Sequence, residues 1–361
     1  MAKRAFNFYA GPSTLPLEVL EIAQKELTDY RGSGISIMEI SHRSPEYDEV
    51  HTAAMSLAKE IMGLGDDYKV LFLHGGASMQ FAMVPLNFLR DGQTAAYVDT
   101  GSWSSKAIKE AKKIGGVHVA GSSKDANYAF IPKPSDIKCP GDAAYLHITT
   151  NNTIAGTQYH ELPDAGAVPL IADMSSDICS RRFDYSQFSL FYAGAQKNLG
   201  PAGCAMVIVR KSMLEKCKDG LTMLDYRTHA EKDSLFNTPP CFTIYIIKLV
   251  LEWLKGKGGL AGIEKLNRAK QEAVYGVIDS APDYFKCPVE RGSRSWMNIV
   301  FRLPSEELEK KFLAEAKAAG LIGLKGHRSV GGIRVSLYNA MPLEGAHKVA
   351  ELMASFKKAN G

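Results

Sequence analysis

The sequence predicts an α/β protein built on a mainly parallel sheet, and three observations carry that prediction. Seven short apolar runs recur through the first two thirds of the chain, at Val70–Leu73, Ala95–Asp99, Val117–Ala120, Ala144–Ile148, Leu170–Asp173, Leu190–Ala193 and Ala205–Val209. Each is only four or five residues long and mostly apolar, the signature of a strand covered on both faces. Stretches with helical spacing, such as Gln80–Leu89 and Trp103–Ile114, lie between them, and strands alternating with helices build parallel sheets.

The remaining third changes pattern. A helix over Pro239–Lys255 stops at Gly256-Lys-Gly-Gly, because glycine ends helices readily. From Leu260 onward the order becomes helix, strand (Trp296–Leu303), helix (Ser305–Ala319), strand (Ile333–Tyr338) and helix (Leu343–Ala359). These elements predict a smaller α+β domain at 259–361, beside a large domain at 15–258 and an N-terminal arm at 1–14 that packs elsewhere. A chain of 361 residues has the length for two such units.

Composition narrows the function classes. Hydrophobic residues make up 45% of the chain and charged residues 23%, as in an ordinary globular protein. The net charge is only +4 and no run of Lys and Arg exceeds two residues, so a nucleic-acid partner is not expected. Gly11-Pro12 follows the N-terminus before an apolar signal core can build up, which argues for the cytoplasm. The most apolar segment, Phe242–Leu254, carries Lys248 and Glu252 and is shorter than the ~20 residues a membrane helix needs. Six cysteines stand far apart without a C-x-x-C pair, so neither a metal site nor a disulfide framework is expected, only reduced and mostly buried thiols.

Open α/β sheets bind ligands beyond the carboxyl ends of their strands, and four candidate segments sit there. His74-Gly75-Gly76-Ala77-Ser78 follows one strand and opens a helix, where free amides and the helix dipole can hold a phosphate; a plain tight turn is the alternative. It is neither G-x-G-x-x-G nor a P-loop, which counts against a dinucleotide enzyme or an NTPase. Trp103 opens the next helix, placed either to lie over a flat ring or to pack in the core. Asp173 ends a strand, either as a carboxylate in the cleft or as a helix cap. Lys197 lies in an apolar, glycine-bounded segment; desolvation there lowers an amine's pKa and suits it to Schiff-base chemistry. A Schiff-base lysine and a carboxylate for a pyridinium nitrogen are the pair that pyridoxal phosphate needs.

Phe191-Tyr-Ala-Gly-Ala-Gln-Lys197-Asn-Leu-Gly-Pro-Ala-Gly resembles the cofactor-lysine segment of the phosphoserine aminotransferases. Phe6-Asn-Phe-Tyr-Ala-Gly-Pro, Met38-Glu-Ile-Ser-His42-Arg43-Ser, Phe236-Asn-Thr-Pro-Pro and Lys325-Gly-His-Arg-Ser-Val-Gly-Gly-Ile-Arg334 are similar to other hallmark segments of that family, in the same order. The resemblance implies a fold-type I, class V pyridoxal-phosphate enzyme, a homodimer with its cofactor at the subunit boundary. It implies Lys197 as the Schiff-base lysine, Asp173 as the partner of the pyridine nitrogen, Trp103 as the stacked ring and Thr153 near the phenolic oxygen. The cofactor phosphate is expected among Ala77, Ser78 and Gln196, with Asn237 and Thr238 from the neighbouring subunit.

For the substrate, the resemblance implies Arg334 for the α-carboxylate, and His42, Arg43, His327 and Arg328 for a distal phosphate. Alternation supports Arg334: Ile333, Val335 and Leu337 are apolar, so Arg334 points to the other side of its strand, toward either a ligand or solvent. One departure is Ser78, which stands where some members of the family carry an arginine that adds a contact to the substrate phosphate. The activity implied is amino transfer between L-glutamate and 3-phosphohydroxypyruvate in serine biosynthesis, with a second use in vitamin B6 synthesis left open. The alternatives are another class V enzyme, such as an alanine–glyoxylate aminotransferase or a cysteine desulfurase acting through Cys287, and a metabolite-binding module without catalysis.

Overall fold

The computed structural model describes residues 4–361; Met1, Ala2 and Lys3, the start of the expected arm, lie outside the described residues. A short strand β1 (Phe6–Asn7) and helices α1 (Leu17–Glu26) and α2 (Pro45–Met62) lead into the region of the large sheet. Its further elements are β2 (Tyr68–His74), α3 (Gly76–Phe88), β3 (Thr94–Asp99), α4 (Ser102–Ala111), β4 (Gly116–Ser122) and β5 (Leu146–Thr149). A small hairpin of β6 (Asn151–Asn152) and β7 (Thr157–Gln158) precedes β8 (Leu170–Asp173), β9 (Leu190–Gly194), β10 (Cys204–Arg210), α5 (Lys211–Leu214), α6 (Tyr226–Glu231) and α7 (Cys241–Gly256).

Seven of these strands form one sheet in the order β2-β10-β9-β8-β5-β3-β4, matching the predicted seven-stranded, mainly parallel sheet. Only β10 breaks the direction, lying antiparallel to both β9 and β2. Two reversals restore the original sense, so β2 points the same way as β9. The carboxyl ends of β2, β3, β5, β8 and β9 therefore share one edge.

Successive strand residues face opposite sides, which divides the large core in two. Val70 and Phe72 of β2 pack with Ala54 and Ala58 of α2 and Ile247 and Leu251 of α7. Leu71 and Leu73 pack on the other face with Phe81 and Val84 of α3 and Ile108 of α4. The sheet is thus covered on both sides, which is why its strands read as mostly apolar runs.

The C-terminal part contains α8 (Gly259–Ser280), β11 (Asn298–Phe301), α9 (Glu306–Ala318), β12 (Leu321–Ile322), β13 (Ile333–Ser336) and α10 (Leu343–Asn360). Strands β11 and β13 form an antiparallel ribbon, whose core includes Ile299, Val335, Phe312, Val349 and Phe356. The N-terminal arm packs into this part: β1 pairs in parallel with β12, and Phe8 is fully buried in the same core. Beyond it the arm crosses to the large sheet, where Ser13 N donates to Gln196 O at 3.0 Å.

Most elements lie within a few residues of their expected limits, and two of the differences have a clear physical reason. Helix α3 begins at Gly76 rather than Gln80, because Gly75 takes φ +85° as its cap and starts the turn early. The ribbon ends at Ser336 rather than Tyr338, because Leu337–Asn339 leave the ladder and bond to buried polar side chains instead.

Candidate active site

The shared strand edge collects the predicted cofactor residues. A cavity of about 120 Å³ is lined by Ala77 and Ser78 at the start of α3, Trp103 at the start of α4, Asp173 at the end of β8, and Gln196 and Lys197 beyond β9. These positions are far apart in sequence. They meet because each follows the carboxyl end of a strand on the same edge, the place where a doubly wound sheet leaves room for a ligand.

Lys197 stands on a tight turn after β9. Leu199 N and Gly200 N both donate to Ala195 O, at 3.1 and 2.8 Å, and Ala195 and Leu199 are fully buried below. The amine is half-buried and donates to Thr153 Oγ1 at 2.5 Å, 5.6 Å from the centre of the Trp103 ring. Burial lowers its pKa to about 8; Asp173 opposes that shift and Arg334 adds to it. An amine near pH 8 is free often enough at neutral pH to act as nucleophile and base.

Asp173 is only 4% exposed. Its Oδ1 accepts from Ser175 N at 2.9 Å and from Ser175 Oγ at 2.6 Å, while Oδ2 has no donor among the described residues. Burial raises this carboxyl's pKa, and the two bonds from Ser175 and the charge of Lys197 only partly offset it. A buried carboxylate with one free oxygen suits a cationic ring N–H.

The opposite wall offers an anion site. Helix α3 presents the free amides of its first turn, capped by Gly75, where a Cβ would come within 2.7 Å of Met79 Cβ. Gly194 has a similar duty: a Cβ there would lie 2.8 Å from Gln196 Oε1 and 3.4 Å from Ala77 N. Trp103 Nε1 and Thr149 Oγ1, which also belong to residues lining the cavity, are buried and have no partner among the described residues. Orphaned polar groups gathered at one cleft mark a place built for a ligand. Free amine, free carboxylate oxygen, flat indole and helix N-terminus together fit pyridoxal phosphate.

Arg334 stands as alternation predicted, half-buried between the fully covered Ile333 and Val335. Its Nε is buried without a partner, and no carboxylate pairs with it among the described residues. Burial lowers its pKa, and the Tyr338 phenol works against that. His327 lies near enough to Arg334, Arg328 and Lys106 that their charges add to the burial already lowering its pKa. Arg328 is exposed on the turn after it.

Eight predicted residues do not line this cavity: Thr153, His327, Arg328 and Arg334, placed above, and four that lie elsewhere. His42 and Arg43 lie in the turn before α2, where His42 Nε2 is buried and unpartnered and Arg43 is exposed. Asn237 and Thr238 lie in the loop before α7, with Thr238 exposed. Sequence reasoning also passed over Thr149, Asn151, Ser175 and Ser176, which line the cavity. Their signal was position alone: Thr149 ends β5, and the two serines come two and three residues after Asp173.

Comparison with known proteins agrees with this geometry. The class-V aminotransferase family model matches residues 5–349. The chain is 56% identical to the phosphoserine aminotransferase of Geobacillus kaustophilus, covering 99% of both chains, and 53% identical to that of Niallia circulans, covering 100% of both. The solved phosphoserine aminotransferase from Bacillus circulans subsp. alkalophilus superimposes with a TM-score of 0.97 at 53% identity, over 99% of each chain. The PLP-bound phosphoserine aminotransferase from Trichomonas vaginalis gives 0.92 at 37% identity, over 97% of this chain and 100% of that one. An alanine–glyoxylate aminotransferase from Nostoc sp. gives 0.76 at 16% identity, over 99% of this chain and 96% of that one, a likeness of fold alone. With sequence and backbone matched from end to end, the chain belongs to the class-V aminotransferase family, among its phosphoserine aminotransferases.

Proposed function

We propose that this protein transfers the amino group between L-glutamate and 3-phosphohydroxypyruvate, giving O-phospho-L-serine and 2-oxoglutarate in serine biosynthesis. The observation that carries the reading is Lys197, an amine brought to about pH 8 beside an unpaired Arg334 and opposite a buried carboxylate. The names of the relatives, matched over the whole chain, support the same substrates.

The cofactor is pyridoxal 5′-phosphate, which when bound supplies a carbon that carries the amino group and a ring that accepts the electrons left at Cα. Lys197 would hold it through its amine, with Asp173 at the ring nitrogen and Trp103 over the ring. Ala77, Ser78 and Gln196 would hold its phosphate, and Thr153 its phenolic oxygen.

The chain's own groups account for the remaining work. Arg334 binds the α-carboxylate common to both substrates. Lys197 Nζ takes the proton from the substrate Cα in one direction and returns it in the other. Burial disfavours the charged form of Asp173, and a hydrogen bond from the cofactor's ring nitrogen would keep it ionised. His327 and Arg328 meet the distal anion, where charge-assisted bonds favour phosphate.

The protein acts as a homodimer in this reading. Asn237, Thr238, His42 and Arg43 stand outside their own chain's cavity, and a second subunit completes the site with them. Cytoplasmic placement is supported by six free cysteines and by the absence, among the described residues, of any helix long and apolar enough to cross a membrane. A desulfurase reading is not favoured, because burial raises the pKa of the Cys287 thiol and so disfavours the nucleophilic thiolate.

The test is the visible spectrum of the cofactor-loaded protein. The lysine-linked band should bleach with glutamate and return with 3-phosphohydroxypyruvate. A band that ignores either compound would overturn the assignment.

A further inference from the structure

Lys270 of α8 is fully buried, yet it pairs with no carboxylate among the described residues. Its Nζ donates instead to two backbone carbonyls, Leu337 O at 3.0 Å and Tyr338 O at 2.8 Å. A buried ammonium is an expensive way to fill a core, because its hydration is lost and no counter-charge returns it. The groups it serves show what it does there.

Those carbonyls lie where β13 leaves its ladder. The strand ladders with β11 on one edge and is held on the other only near its start, by the Lys325–Ile333 bridge and by Arg334 N donating to Leu324 O at 2.8 Å, so its exit has no second strand beside it. The last backbone bond to that side is Leu337 N to Met297 O, at 2.7 Å. Beyond it the carbonyl of Leu337 takes its donor from Lys270, and that of Tyr338 takes Lys270 together with Met341 N, at 2.9 Å.

Neighbouring bonds make this a joint between the ribbon and the Lys197 turn. One turn earlier on α8, Asn267 Nδ2 donates to Asn339 Oδ1 at 2.9 Å and to Ser180 O at 2.7 Å. Asn339 N in turn donates to the side chain of Asn198, the residue after Lys197, at 2.9 Å. Tyr338 Oη donates to Ala10 O of the N-terminal arm at 2.7 Å and accepts from Asn298 Nδ2 at 3.2 Å. Residues 337–339 are thereby pinned from α8, from the arm and from the lysine turn, while Arg334 projects from the strand just before them.

We propose that Lys270 is a positioning residue for substrate binding: by holding the carbonyls of Leu337 and Tyr338 it fixes the exit of β13, and so sets where Arg334 meets the substrate carboxylate. The proposal rests on the reading of Arg334 as the α-carboxylate ligand. Lys270 touches no substrate itself; it acts through the backbone that carries Arg334 and Tyr338. Displacements near 1 Å in such a contact are enough to weaken it severely.

The experiment compares Lys270→Met, Lys270→Gln and Arg334→Ala with the unaltered holoenzyme. Glutarate, which carries carboxylates but no amine, is titrated by calorimetry; kcat and KM are measured for glutamate and phosphoserine, and amide exchange is followed over residues 333–339. Lys270→Met should raise the glutarate Kd and both KM values together by about tenfold, with kcat little changed and faster exchange confined to the ribbon exit. Lys270→Gln, which keeps one donor, should fall between, and it carries the test if the methionine variant does not fold. Unchanged Kd and KM in a folded variant, or a fall in kcat with exchange quickened throughout the protein, would overturn the positioning role. If Arg334→Ala leaves glutarate binding unchanged, the carboxylate reading itself fails; if it weakens binding while the Lys270 variants do not, only the positioning role fails.

Discussion

The amine of Lys197 donates to Thr153 Oγ1 at 2.5 Å, although 44 residues of chain separate the two. Thr153 follows the β6 strand beyond β5 and Lys197 follows β9, so the bond ties two strand ends across the mouth of the cavity. It holds the amine in the cavity, within 5.6 Å of the Trp103 ring. Lys197→Ala removes the group that links the cofactor and moves the Cα proton. Turnover should fall by roughly 10⁴-fold or more, since a positioned general base alone contributes about 10²–10⁴. The visible band of the lysine-linked cofactor should vanish as well. Near-normal turnover would show that another amine does the chemistry.

The protonation of Lys197 gives a second prediction. Burial sets its pKa to about 8, with Asp173 favouring the charged form and Arg334 opposing it. In cofactor-free protein, reductive methylation of Lys197, followed by mass spectrometry, should rise with a midpoint near pH 8, whereas exposed lysines should titrate near 10.4. Asp173→Asn removes an attraction and should move the midpoint down. Arg334→Ala removes a repulsion and should move it up. Shifts in the opposite directions would mean that these charges do not face the amine.

Selectivity gives the third. Glutamate and phosphoserine share an α-carboxylate but differ distally, with one negative charge against nearly two. Arg334→Ala should weaken both substrates. Arg43→Ala should weaken phosphoserine more, by about ten- to hundredfold, because a charged hydrogen bond is worth roughly 1.5–3 kcal/mol and strengthens with the acceptor's charge. Steady-state kinetics with both substrates decides this, and equal losses after Arg43→Ala would remove Arg43 from the phosphate site.

The fourth concerns assembly. Asn237, Thr238, His42 and Arg43 fall outside the cavity of their own chain, so the protein should sediment as a dimer over a wide dilution range. Mixing Lys197→Ala with an inactive Asn237→Ala, Thr238→Ala double variant, after dissociation and reassociation, should restore activity through hybrids that keep one intact site. A fully active monomer would contradict the shared site.

Much of this molecule is legible in the sequence. Val70–Leu73, Leu170–Asp173 and Leu190–Ala193 are mostly apolar runs because both sheet faces are covered, and each proves to be a strand of the predicted sheet. Lys197 and Asp173 stand out as a pair: each alone has a bland explanation, but a lysine and a carboxylate beyond two strand ends are what pyridoxal phosphate needs. Arg334 is signalled by alternation in a short strand, and its flanking residues are indeed buried.

Other features carry no local signal. The antiparallel β10 between β9 and β2 is invisible in its composition, since Ala205–Val209 is as apolar as the parallel strands; hydrogen-bond direction depends on neighbours and not on side chains. The arm's pairing with β12, the meeting of Thr153 with Lys197, and the hold of Lys270 on residues 337–338 join segments dozens to hundreds of residues apart. Sequence by itself determined the fold class, the approximate positions of the sheet strands and the chemical kinds of the candidate site residues, because periodicity and polarity are local properties. Tertiary structure alone decided which ends share an edge, which polar groups stay unpartnered, and which buried ammonium supports the arginine, because burial and pairing are set by the packing of distant segments.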